Sequence, residues 1–106
     1  MERVCFILKI KEELLDDYLA EHQVWPEMLE AITDAGIKNY SLFVNRKASS
    51  IIGYFEAENP QESLEKLGKT EVSKKWQAKF AKYFVSGSGD MKAGGLEWME
   101  QYFYLA

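Results

Sequence analysis

The punctuation of this chain constrains its fold more than any other feature. It has two prolines, Pro26 and Pro60. Proline lacks an N–H, and inside a helix its ring clashes with the carbonyl four residues back, so neither can sit mid-helix. Both suit the first position of a helix. Asn59 before Pro60 can cap that helix, and Glu62 can complete a capping box. Gly36 follows Pro26 at a helix-length distance and can take the left-handed conformation that closes a helix, and the helix begun at Pro60 is expected to end near Gly68. The chain is thus cut into short helices separated by extended segments.

The extended segments carry the alternation of strands. Arg3 to Ile10 places Val4, Phe6, Leu8 and Ile10 on one face and Cys5 and Ile7 on the other, which predicts a strand covered on both sides, with Cys5 as a small buried hydrophobe. Ile37 to Asn45 and Ser50 to Glu58 are two more strands, joined by the turn Arg46 to Ser49 as an antiparallel hairpin. Leu96 to Leu105 reads as a closing strand, with Trp98, Tyr102 and Tyr104 on one face and Met99, Phe103 and Leu105 on the other. The helical spacings fall between them. Leu14, Leu15, Tyr18, Leu19 and His22 share a face from Glu12 to His22. Met28, Leu29, Ile32 and Ala35 share one after Pro26. A helix capped by Thr70 carries Val72, Trp76, Phe80 and Phe84 in a stripe reaching about Phe84. Val85 to Gly95 reads as a surface loop.

The resulting order, β-α-(α)-β-β-α-(α)-β, predicts an α+β fold of the ferredoxin-like split β-α-β type. It has a four-stranded antiparallel sheet with helices on one side, in a single domain spanning residues 1–106. The aromatic content of 14% leaves the other sheet face too apolar to stay wet, so a homodimer built across that face is expected.

Composition narrows function. Thirteen basic against seventeen acidic residues, a net charge of −4, count against nucleic acid as a partner. No apolar run reaches the ~20 residues that span a bilayer, and no leader is apparent, so a cytoplasmic protein with no membrane partner is expected. One cysteine and one histidine cannot build a common zinc site, and there is no glycine-rich phosphate loop. No metal and no organic cofactor are expected.

The candidate site is the corner from Asp17 to Glu27. Tyr18 and His22 lie one helical turn apart, so a phenol and an imidazole point into the same volume. His22 is the side chain that exchanges protons most readily near neutral pH, with carboxylates as competitors. It can equally be a helix-end histidine bonding backbone carbonyls. Tyr18, Tyr40, Trp25 and Trp76 can present rings to the C–H face of a sugar and hydroxyl or indole N–H groups to its oxygens. Each has a structural alternative as core or half-buried packing. Glu27 can orient His22 or favour the N-terminus of its helix dipole.

With these residues in place, the chain resembles the L-rhamnose mutarotase family over nearly its whole length. The resemblance rests on Tyr18-x-x-x-His22, Trp25-Pro26-Glu27, Gly36-Ile37-Lys38-Asn39-Tyr40-Ser41-Leu42-Phe43, Trp76 and the terminal Tyr102-Phe103-Tyr104-Leu105. It implies a dimeric α+β barrel and a cofactor-independent enzyme interconverting the α and β anomers of a deoxyhexose, L-rhamnose first. It also implies His22 as the catalytic proton donor and Tyr18, Tyr40 and Trp76 as sugar contacts. Gln77 stands where many members have a second tryptophan, which bears on which sugar fits. The dimeric barrel fold also hosts cofactor-independent monooxygenases and lactone isomerases, and a non-catalytic sugar-binding module is a third reading.

Overall fold

A computed structural model describes residues 1–21, 23–85 and 97–106. Four strands, β1 (Glu2–Lys9), β2 (Lys38–Asn45), β3 (Ser50–Ala57) and β4 (Glu97–Met99), form one antiparallel sheet in the order β2-β3-β1-β4. Four helices, α1 (Leu15–Glu21), α2 (Pro26–Asp34), α3 (Pro60–Gly68) and α4 (Glu71–Phe80), connect them. This is the expected α+β split pattern. Each neighbour in the sheet is antiparallel, because each helical connection skips one strand position.

The register sorts the faces. Phe6 pairs with Gly53, Leu8 with Ile51 and Val4 with Phe55, so the even-numbered residues of β1 face the helices. There they form the core with Leu15, Met28, Leu64, Leu67, Phe80 and Tyr83. A glycine in a central strand normally weakens it. Gly53 has a steric reason to be there: a Cβ at that position would overlap the Phe6 ring.

Local chemistry sets the helix ends. Trp25 precedes α2 in an extended conformation, with Pro26 in the first turn. The Asn59 side chain accepts the Glu62 N–H at 3.2 Å, and the Thr70 hydroxyl accepts the Ser73 N–H at 3.2 Å. Gly36 closes the α2 connection at φ +86°, in the left-handed region.

Four expectations need correction. The first helix opens with a 3₁₀ turn at Glu12–Leu14, and α4 stops at Phe80, followed by a second 3₁₀ turn at Ala81–Tyr83. Phe84 then bridges to Ile10 and leaves the helical stripe. The closing strand covers only Glu97–Met99 among the described residues. Its pairing puts Cys5 opposite Met99, so any continuation beyond Tyr102 would pass the end of β1. Cys5 is half-buried on the face away from the helices. The loop expected over Val85 to Gly95 falls outside the described residues except for Val85, whose N–H reaches the Lys9 carbonyl at 3.0 Å.

Candidate active site

Between the inner face of the sheet and the helices lies a cavity of about 480 Å³. That is within the ~300–1,000 Å³ common for small-ligand sites. Its floor is Phe6, Leu8, Tyr40, Leu42 and Phe55 of the sheet. Its walls come from Tyr18 of α1, Met28, Leu29 and Ile32 of α2, Leu64 and Leu67 of α3, and Trp76 of α4. Three of the four site residues expected from the sequence therefore meet around one space: Tyr18, Tyr40 and Trp76. The fourth, His22, lies outside the described residues.

Helix α1 aims Tyr18 inward. The residue is 4% exposed, and its ring is met edge-on by Phe80, Tyr83 and Phe84 at centroid distances of 5.8, 5.6 and 5.9 Å. Such edge-to-face contacts add to plain area burial and fix the ring. Burial, then the nearby Tyr40 phenol, raises the Tyr18 phenol well above its ordinary value.

Tyr40 enters from the opposite wall and packs against Phe6 at 6.4 Å and Phe55 at 6.2 Å. It sits on the edge strand, so the residue keeps 40% of its surface exposed. Its hydroxyl end is nevertheless enclosed, and burial pushes the phenol up to about 12. The hydroxyl's surroundings, not the exposed part of the ring, govern what the phenol can do. Both phenols stay protonated at neutral pH and can donate hydrogen bonds.

Trp76 stands on the wall formed by α4, backed by Phe80 at 4.4 Å and by Trp25 edge-on at 5.1 Å. Trp25 is not itself a cavity wall; it supports one, and Lys79 covers its ring at 5.5 Å. Glu27 is exposed in the first turn of α2, where a carboxylate favours the helix dipole. Gln77 does not line the cavity. Its amide donates to the Ser73 hydroxyl at 3.2 Å within α4.

The sequence reading missed Asn39 and Thr33, polar residues at the cavity wall, and the apolar wall residues Leu29 and Leu42. Leu29 and Leu42 are large apolar residues left exposed beside a cavity, which a sequence cannot distinguish from core. Among the described residues, no group of three or more His, Cys, Asp or Glu side chains could hold a metal ion. No helix among them is long and apolar enough to cross a membrane.

Comparison with known proteins agrees with this fold. A family model described as L-rhamnose mutarotase matches residues 3–105. An L-rhamnose mutarotase from Tolumonas auensis is 31% identical over 107 aligned positions, covering 100% of both chains. One from Listeria monocytogenes serotype 4b is 32% identical over 107 positions, again covering 100% of both. The crystal structure of an L-rhamnose mutarotase from Formosa agariphila superimposes with a TM-score of 0.79, at 21% identity and over 100% of each chain, and so shares the fold. With the match running almost from end to end, the chain belongs to the L-rhamnose mutarotase family, a family of carbohydrate isomerases.

Proposed function

We propose that this protein interconverts the α and β anomers of a deoxyhexose, L-rhamnose first among them, by acid–base ring opening and closure without a cofactor. The observation that carries the reading is the cavity in which two protonated phenols and an indole converge on a wall otherwise mostly apolar. A deoxyhexose has the matching surface, a ring of hydroxyls beside a C–H face and a methyl group. The family match supports a sugar isomerase over the oxygen-dependent and lactone readings.

Opening requires removal of the proton on O1, cleavage of the C1–O5 bond as C1=O forms, and delivery of a proton to O5. Rotation about C1–C2 and the reverse steps give the other anomer. One group acts as acid and another as base, and the roles exchange on closure. We assign the acid–base role to His22, whose ordinary pKa of ~6.5 suits either direction. Its described neighbours support this. Tyr18, one turn earlier in sequence, and Val24, two residues later, both line the cavity. Tyr18 and Tyr40 donate hydrogen bonds to sugar oxygens, and Trp76 offers its ring.

Trp76→Ala should raise KM for the sugar roughly tenfold and change kcat much less, because an aromatic contact made equally to ground and transition states is uniform binding. The measurement is initial-rate polarimetry on freshly dissolved α-anomer, after circular dichroism has shown the variant folded. An unchanged KM in a folded variant would leave Trp76 as packing alone.

We further propose that the working form is a cytoplasmic homodimer. On the face away from the helices, Phe43 is 61% exposed, with Ile7, Ile52 and Tyr54 half-exposed beside it. The tail after β4 adds Phe103, Leu105 and Tyr102, the last 96% exposed. In that tail the Arg3 guanidinium lies over the Tyr104 ring, 3.6 Å from its centre. An apolar surface of this kind needs a cover in water. Sedimentation equilibrium at micromolar concentration should give a dimer, and Phe43→Glu should shift it towards monomer. A wild-type monomer would contradict the proposal.

A further inference from the structure

Asn39 has φ 51°, one of two non-glycine residues with positive φ among those described. Asparagine tolerates this left-handed region far better than a β-branched residue does. Asn39 also sits at a break in the pairing of β2 with β3. Lys38 lies opposite Glu56 and Ser41 opposite Tyr54, so Asn39 and Tyr40 together span the place opposite Phe55.

That break decides where Tyr40 points. In a regular strand, residues two apart share a face. Ile37 and Tyr40 are three apart, yet both line the cavity. Counted forward from Ile37 by strict alternation, Tyr40 would face away from the helices. The one extra residue turns every later side chain over, which returns Tyr40 and Leu42 to the inner face.

The bulge is tied down by Glu56. Asn39 Nδ2 donates to Glu56 Oε1 at 3.3 Å, and the Tyr54 hydroxyl donates to Oε2 of the same carboxylate at 2.8 Å. The Tyr54 bond first, then the Asn39 bond, lowers the Glu56 pKa, so the carboxylate holds the ionised form with both oxygens engaged.

We propose that Asn39 and Glu56 are positioning residues: the left-handed bulge at Asn39, latched by Glu56, aims Tyr40 into the cavity. Neither residue is required to touch the reacting atoms. The kinetic consequence rests on the mutarotase reading above, whereas the geometric one does not.

The test compares Asn39→Gly with Asn39→Val. Glycine keeps access to positive φ without the side chain, and valine strongly disfavours that conformation. In ring-labelled tyrosine NMR spectra, contacts of Tyr40 with Phe6 and Phe55 should persist in Asn39→Gly and disappear in Asn39→Val. KM for L-rhamnose should rise roughly tenfold in Asn39→Val with kcat nearly unchanged, and should rise markedly less in Asn39→Gly, which loses only a polar wall group. Should the valine variant fail to fold, Glu56→Ala removes the latch and should weaken the same Tyr40 contacts. Retention of those contacts in every folded variant would overturn the proposal. So would a loss of kcat at unchanged KM. A wild-type protein inactive on L-rhamnose would count against the functional reading alone, since the Tyr40 contacts would still report on the bulge.

Discussion

His22→Gln is expected to lower catalysed anomer exchange by ~10²–10⁴-fold, the usual contribution of one positioned general acid or base. Glutamine keeps a hydrogen-bonding side chain of similar reach but cannot exchange protons near neutral pH. Sugar affinity should survive, because Tyr18, Tyr40 and Trp76 still wall the cavity. The wild-type rate should follow one titration near neutrality, and the variant should lose that dependence. The two phenols cannot supply it, since Tyr40 titrates at about 12 and Tyr18 is also shifted upwards. Exchange NMR at saturating sugar across a pH series gives both readings. A folded variant with the wild-type rate and pH profile would pass the role to a carboxylate or a relayed water.

The second large effect is on the fold beneath the cavity. Gly53→Ala places a methyl group where the Phe6 ring lies. Phe6 is 2% exposed and touches both Phe55 and Tyr40, so the ring has little room to retreat. Overpacking of this kind costs ~1–3 kcal/mol. Urea unfolding should show a lower midpoint at an unchanged slope, which identifies a change in stability with no change in the surface exposed on unfolding. A displaced Phe6 would also narrow the cavity and raise KM. Wild-type stability in Gly53→Ala would mean that Phe6 has an alternative rotamer available.

Much of this architecture was legible in the residues because it is decided locally. Pro26, Asn59 with Pro60, and Thr70 set helix starts through their own backbone and side-chain chemistry, and each helix begins where they place it. The alternation of Val4, Phe6 and Leu8 fixes which face of β1 meets the helices. Tyr18, Tyr40 and Trp76 were legible as a group through resemblance, and the fold brings them to one cavity. What was not legible depends on partners distant in sequence. The bulge at Asn39 exists only in relation to β3. The reason for Gly53 is Phe6, across the sheet. Leu96 to Leu105 alternates like a strand, but pairing Cys5 with Met99 carries every residue past Tyr102 beyond the end of β1. Gln77 stands where many family members have a second tryptophan, yet here it lies off the cavity wall with its amide engaged by Ser73 on the same helix.

A cavity that opens and closes a sugar ring must speed anomer exchange in proportion to the protein present. The most direct test is two-dimensional ¹H exchange spectroscopy on L-rhamnose at anomeric equilibrium, with the protein at catalytic concentration and the buffer alone as reference. Cross-peaks between the α and β H1 signals are expected, at a rate that rises in proportion to protein concentration. An exchange rate equal to that of buffer, with folded protein present and the sugar above its binding concentration, would contradict that expectation.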